Sequence, residues 1–81
     1  MKEIHEIAEK ELPDIEKLAQ AFDILTKRYV EHANNEAELR RAMGDEDSVI
    51  KERIKAGVMD TARGMFEYCY RIIAGRSAWD E

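Results

Sequence analysis

The sequence has few of the residues that cross-link, kink or interrupt a helical chain. It contains one cysteine, one proline and four glycines among 81 residues. The single cysteine, Cys69, cannot support an internal disulfide framework and fits a reducing compartment. No uncharged run approaches the roughly 20 residues that a membrane-spanning helix needs. The first residues are charged, unlike a secretory signal, so we expect a cytoplasmic protein without a membrane partner.

Signals for β-structure and for nucleic-acid binding are also missing. The chain has no sustained alternation of apolar and polar residues and no Asn-Gly or Asp-Gly hairpin turn. The formal net charge is −5, whereas nucleic-acid binders gain most of their affinity from neutralising phosphates. We therefore expect neither a β-fold nor a nucleic-acid partner.

Apolar residues recur instead at the three- and four-residue steps typical of helices. They predict an all-α fold, a helical hairpin of two long antiparallel helices preceded by a short N-terminal helix. Residues 1–75 would form a single helical domain, and residues 76–81 a C-terminal tail with an exposed tryptophan.

The predicted helix boundaries follow from local signals. The short helix covers residues 2–11, and Pro13 suits the first turn of the next one. That second helix either ends at Asn34-Asn35, leaving a separate turn over 36–43, or continues through it. Gly44 then predicts a turn, with Asp45 or Asp47 as the cap of a third helix over 47–74, which Gly75 would close.

The third helix carries more apolar surface than one neighbour can cover. A core-facing stripe is expected from Ile50, Ile54, Val58, Thr61, Ala62, Met65, Tyr68, Cys69 and Ile72. A second apolar arc contains Met59, Phe66, Tyr70 and Ile73. Either the N-terminal helix folds back over this arc, or two or more chains bury it together. We predict an oligomer interface or partner-binding surface at Met59, Phe66, Tyr70, Ile73 and Trp79.

Two glycines interrupt the third helix at positions 57 and 64, where glycine weakens a helix by up to about 1 kcal/mol relative to alanine. Close packing against the second helix or a second copy is one explanation. The alternative is a groove for a small anionic, nucleotide-like ligand, lined by Lys27, Arg28, Arg53, Gly57, Gly64 and Arg71.

No catalytic constellation, metal motif or cofactor motif is recognisable. The glycines are isolated, and no Ser, Cys or Thr has a base at motif spacing. Three segments of the third helix, Gly57-Val58-Met59, Gly64-Met65-Phe66 and Arg71-Ile72-Ile73-Ala74, are similar to small phage hairpin proteins that sequester cyclic nucleotide signals. No residue role is taken from that likeness.

The sequence thus predicts a small non-enzymatic binding protein of bacterial or phage type without a cofactor. We expect it to act as an oligomeric regulator or inhibitor of a protein target. The alternative is an oligomeric binder or sequesterer of the small anionic ligand.

Overall fold

The computed structural model describes residues 2–79, which fold into three helices and contain no strand within that range. These are α1 (Lys2–Ala8), α2 (Asp14–Ala42) and α3 (Glu46–Ala74). The two long helices pack against each other and α1 packs on α2. The predicted all-α hairpin with a short N-terminal helix is confirmed.

The structure ends the first helix earlier than predicted and distinguishes the two alternatives for the second. The first helix ends at Ala8, where the Lys17 ammonium donates a hydrogen bond to the Ala8 carbonyl over 2.8 Å. Helix α2 continues through Asn34-Asn35 to Ala42, so the continuous alternative is correct. Ala33 and Ala37 are both buried, and this packing holds the asparagines within the helix.

The turn between the long helices follows its local signals. Gly44 has a φ of +77°, a conformation that costs glycine little. Asp45 caps α3 by accepting hydrogen bonds from the Ser48 amide at 3.2 Å and the Ser48 hydroxyl at 2.7 Å. At the far end Gly75 has a φ of +75° and closes α3, as predicted.

Small side chains make up most of the interface between α2 and α3. Ala19, Ala33 and Ala37 of α2 and Ala56 of α3 are buried, which lets the two helices lie close together. Among the described residues no large side chain is less than 2% exposed. The hairpin core is therefore thin.

The expected core-facing stripe of α3 is wrong. Ile50, Ile54, Val58, Met65, Tyr68 and Ile72 are 56 to 67% exposed, and Cys69 is exposed too. Helix α2 is instead contacted by the arc that contains Tyr70, which is buried, and Phe66, which is half-buried. The two arcs thus exchange their predicted roles, since the second arc meets α2 and the predicted core-facing stripe is exposed.

Candidate functional site

The centre of the hairpin holds a stack of three aromatic rings contributed by distant parts of the chain. Phe22 of α2 and Phe66 of α3 lie face to face, 4.6 Å apart at 9°. Trp79 stacks beside them, 5.6 Å from Phe66 and 6.3 Å from Phe22. Its indole N–H donates to the Ala19 carbonyl at 2.9 Å. The predicted exposed tryptophan is thus wrong, because Trp79 folds back onto the hairpin.

Arg63 links this stack to the interface between the long helices. Its guanidinium carbon lies 4.3 Å from the centre of the Trp79 ring, within the range of a cation–π contact. The same group donates to the Asp23 carboxylate at 2.9 Å and to the Thr26 hydroxyl at 2.6 Å. A mostly buried arginine therefore ties together α2, α3 and the C-terminal segment.

Glu67 fastens the segment that follows α3. Its carboxylate accepts from the Ala78 amide at 2.8 Å, the Ser77 hydroxyl at 2.9 Å and Arg71 at 2.7 Å. These hydrogen bonds, led by that of the Ala78 amide, hold the pKa of Glu67 below its usual value. Residues 76–79 of the predicted tail are therefore attached to the domain, while residues 80–81 lie outside the described range.

A second fastening joins the same segment to the start of α2. The Glu16 carboxylate accepts hydrogen bonds from the Tyr70 hydroxyl and from Arg76. The Tyr70 bond, followed by that of Arg76, lowers the pKa of Glu16, and its partnership with Glu16 raises the pKa of Tyr70. We call the contacts of Glu16 and Glu67 with residues 70–78 the C-terminal clasp.

The predicted interface residues divide between the interior and the surface. Tyr70 is buried, and Met59, Phe66 and Trp79 are half-buried. Because these four side chains pack within one chain, little of their surface is exposed to a partner. Ile73 is 74% exposed and lines an apolar groove of about 170 Å³ with Ile15, Leu18, Phe66, Cys69 and Tyr70.

Within the described residues, the side of α3 that points away from α2 is not covered by another helix. It consists of residues that recur at steps of four, three, four, three and four and are all exposed. We call this set the outer face of α3: Ile54, Val58, Thr61, Met65, Tyr68 and Ile72. Such spacing is the a/d pattern of helices that pair along their length.

The two glycines inside α3, Gly57 and Gly64, lie along the edge of this outer face. A Cβ atom placed on Gly57 or on Gly64 would meet nothing within 4 Å. Close packing against α2 therefore does not explain either glycine. The alternatives that remain are the approach of a second copy or of a ligand.

The predicted ligand residues are not brought together. Lys27 pairs with Asp23 at 3.4 Å, Arg28 with Glu3 at 2.6 Å and Arg71 with Glu67 at 2.7 Å. Gly64 and Arg71 of the predicted set share one groove, together with Arg63, Glu67, Ser77 and Trp79. Because acidic side chains of the same chain already pair with these three cations, their positive charge is less available to an anionic ligand.

The contacts described above depend on three residues outside the predicted set, namely Arg63, Asp23 and Glu67. Arg63 lies four residues after Met59 and three before Phe66, in register with the arc that faces α2. This helical spacing is the sequence signal that places Arg63 on the arc facing α2. The partners of Glu67 on residues 77 and 78 carry no comparable signal, because the contact depends on how the chain turns after Gly75.

Residues 2–79 contain no group of three or more side chains suited to a metal ion. No helix in that range is long and apolar enough to cross a membrane. No family model matches the chain, and no curated protein or solved structure shows significant similarity to it.

Proposed function

We propose that this chain is a non-enzymatic binding protein that works as a homo-oligomer and regulates or inhibits a protein target. The observation that carries the proposal is the outer face of α3. Its five large apolar members are each 60 to 67% exposed. Contiguous apolar surface of this kind marks interaction sites in folded proteins.

The size of the exposed surface supports self-association. A compact monomer of 9.4 kDa exposes about 5,000 Å², whereas this chain exposes 6021 Å². Its radius of gyration is 15.5 Å, against about 12 Å for a compact domain of 81 residues. The hairpin is thus long and thin, and a second copy would supply the missing second layer of packing.

The charge of the chain supports a protein target with a basic surface. Eighteen acidic residues outnumber thirteen lysines and arginines. An acidic protein associates faster with a basic site because their fields steer the encounter, and salt weakens that steering. Such a role suits a cytoplasmic regulator of bacterial or phage type that holds no cofactor.

Self-association is tested by charge substitutions on the outer face. Ile54→Lys and Met65→Lys each place a cation in the proposed contact, and the mass by sedimentation velocity should fall to that of one chain. Asp60→Lys is the matched control, since Asp60 lies on α3 outside the outer face and is exposed. It should retain the oligomer. Equal masses for all three variants would contradict the proposal.

Target binding is tested by affinity capture with the native chain and with Met65→Lys, followed by reconstitution with the purified target. We expect the native chain to inhibit that target, with an association rate that falls as salt rises. A target bound at a salt-independent rate would contradict the electrostatic part of the proposal. Turnover of any substrate by the chain alone would contradict the non-enzymatic part.

A further inference from the structure

We infer that two copies of this chain pair through the outer face of α3, with the two α3 helices antiparallel and their two-fold axis near residue 63. This inference rests on the proposed self-association and specifies its geometry. It identifies the occupant of the outer face as a second copy of the same surface.

The spacing of the outer face is the same in both directions. Read from Ile54 to Ile72 or back, the steps are four, three, four, three and four, and their midpoint is residue 63. A two-fold axis at that point brings Ile54 against the partner's Ile72. It likewise places Val58 against the partner's Tyr68, and Thr61 against the partner's Met65. Every layer then contains an apolar side chain from each copy or a methyl-bearing threonine.

Self-complementarity of this kind is what a two-fold interface requires, because the same patch must serve on both sides. A parallel pairing would also align the outer faces, but it would align like charges and helix dipoles. Helix α3 has Glu46 and Asp47 in its first turn and Arg71 in its last. Antiparallel pairing keeps the two acidic first turns far apart and opposes the two helix dipoles favourably.

The open glycines fit the same arrangement. Gly64 lies one residue from the proposed axis, where the two helices cross, and Gly57 lies two turns earlier on the same edge. A Cβ atom added at either position would meet no other part of its own chain within 4 Å. A helix without side chains at these positions allows the partner backbone to approach closely.

The excess exposed area of the whole chain is similar to the area that one subunit of a standard dimer buries. The chain exposes about 1,000 Å² more than a compact monomer of its mass. Each partner of a standard interface buries about 800 Å². Helix α1 does not supply this cover, since it packs on α2 and buries Ile7 there.

Distances between spin labels on the two copies test the geometry. Single labels would be placed at Arg53→Cys, Asp60→Cys and Arg71→Cys in a Cys69→Ser background, all at exposed positions of α3. With the axis at residue 63 and a rise of 1.5 Å per residue, the axial separations are about 30, 9 and 24 Å. Double electron–electron resonance measures these distances, and sedimentation of the same samples gives their mass.

The outcomes separate this inference from the proposed function. A dimer with its shortest distance at residue 60 and longer distances on both sides supports antiparallel pairing. A dimer with nearly equal distances at the three sites indicates parallel pairing and overturns the inference, as does a dimer whose distances follow neither pattern. In both cases the proposed self-association stands. Samples with the mass of one chain and no dipolar coupling overturn both.

Discussion

The guanidinium of Arg63 lies 4.3 Å from the ring centre of Trp79, sixteen residues further along the chain. The same guanidinium binds the Asp23 carboxylate of α2. One side chain therefore joins the C-terminal segment to the interface of the two long helices. In a hairpin whose core is mostly alanine, this contact supplies packing that apolar residues provide in thicker domains.

Replacing Trp79 should destabilise the fold. Trp79→Ala removes the ring from the stack, the cation–π contact and the hydrogen bond to Ala19, a loss of about 2 kcal/mol for a half-buried tryptophan. Trp79→Phe keeps the stacking and should lose about half as much. Urea unfolding followed by circular dichroism, at one fixed protein concentration, measures both. Variants that unfold like the native chain would show that Trp79 is not docked in solution.

Removing Arg63 from its contact with Asp23 should have a comparable effect. Arg63→Met leaves a partly buried carboxylate without its guanidinium and costs about 2 kcal/mol. Arg63→Lys keeps the positive charge but lacks the planar guanidinium that donates to both the Asp23 carboxylate and the Thr26 hydroxyl. It should therefore rescue only part of the loss. A double-mutant cycle with Asp23→Asn isolates the pair. A coupling energy near zero would contradict the role assigned to Arg63.

The C-terminal clasp should open at acidic pH. The folded chain lowers the pKa of both Glu16 and Glu67 from a usual value of 4.5. The clasp therefore contributes fully to stability above pH 4.5 and loses that contribution as the pH falls through the lower folded-state values. Trp79 is the sole tryptophan, so its fluorescence reports on the segment directly.

We expect a red shift of the Trp79 emission with a midpoint below pH 4.5. In Glu67→Gln the part of this shift that comes from Glu67 should disappear. Circular dichroism on the same samples separates opening of the clasp from unfolding of the hairpin. An emission maximum that stays constant until the helices unfold would contradict the prediction.

Replacing Gly64 by alanine should stabilise the fold of one chain but weaken the pairing of two chains. Gly64→Ala meets no neighbour within the chain, so it should stabilise a single hairpin by about 0.5–1 kcal/mol. Urea unfolding in the Met65→Lys background measures this effect. In the native background the same change should raise the dissociation constant of the dimer several-fold. Tighter self-association of Gly64→Ala would contradict close approach at the axis.

Gly75→Ala provides a contrast for the folding measurement. Gly75 closes α3 with a φ of +75°, and alanine is strained there, so this variant should lose about 1 kcal/mol. A gain in unfolding free energy for Gly64→Ala and a loss for Gly75→Ala would show that the fold requires Gly75 and does not require Gly64.

Local signals made the helices predictable, whereas their pairing depended on distant partners. Gly44, Asp45 and Gly75 act within a few residues of their own position, and the structure confirms their predicted roles. The choice of which face of α3 meets α2 depended on Arg63, whose partner Asp23 is forty residues away. The docking of Trp79 on Ala19 spans sixty residues. Helical spacing alone cannot show either contact, because both are formed only when the hairpin closes.

The mass of the native chain in solution tests the central claim most directly. Sedimentation equilibrium at micromolar concentration should give twice the chain mass of 9.4 kDa, or a higher multiple if dimers associate further. A mass of 9.4 kDa across the micromolar range would contradict the account, because the outer face of α3 would then remain in water.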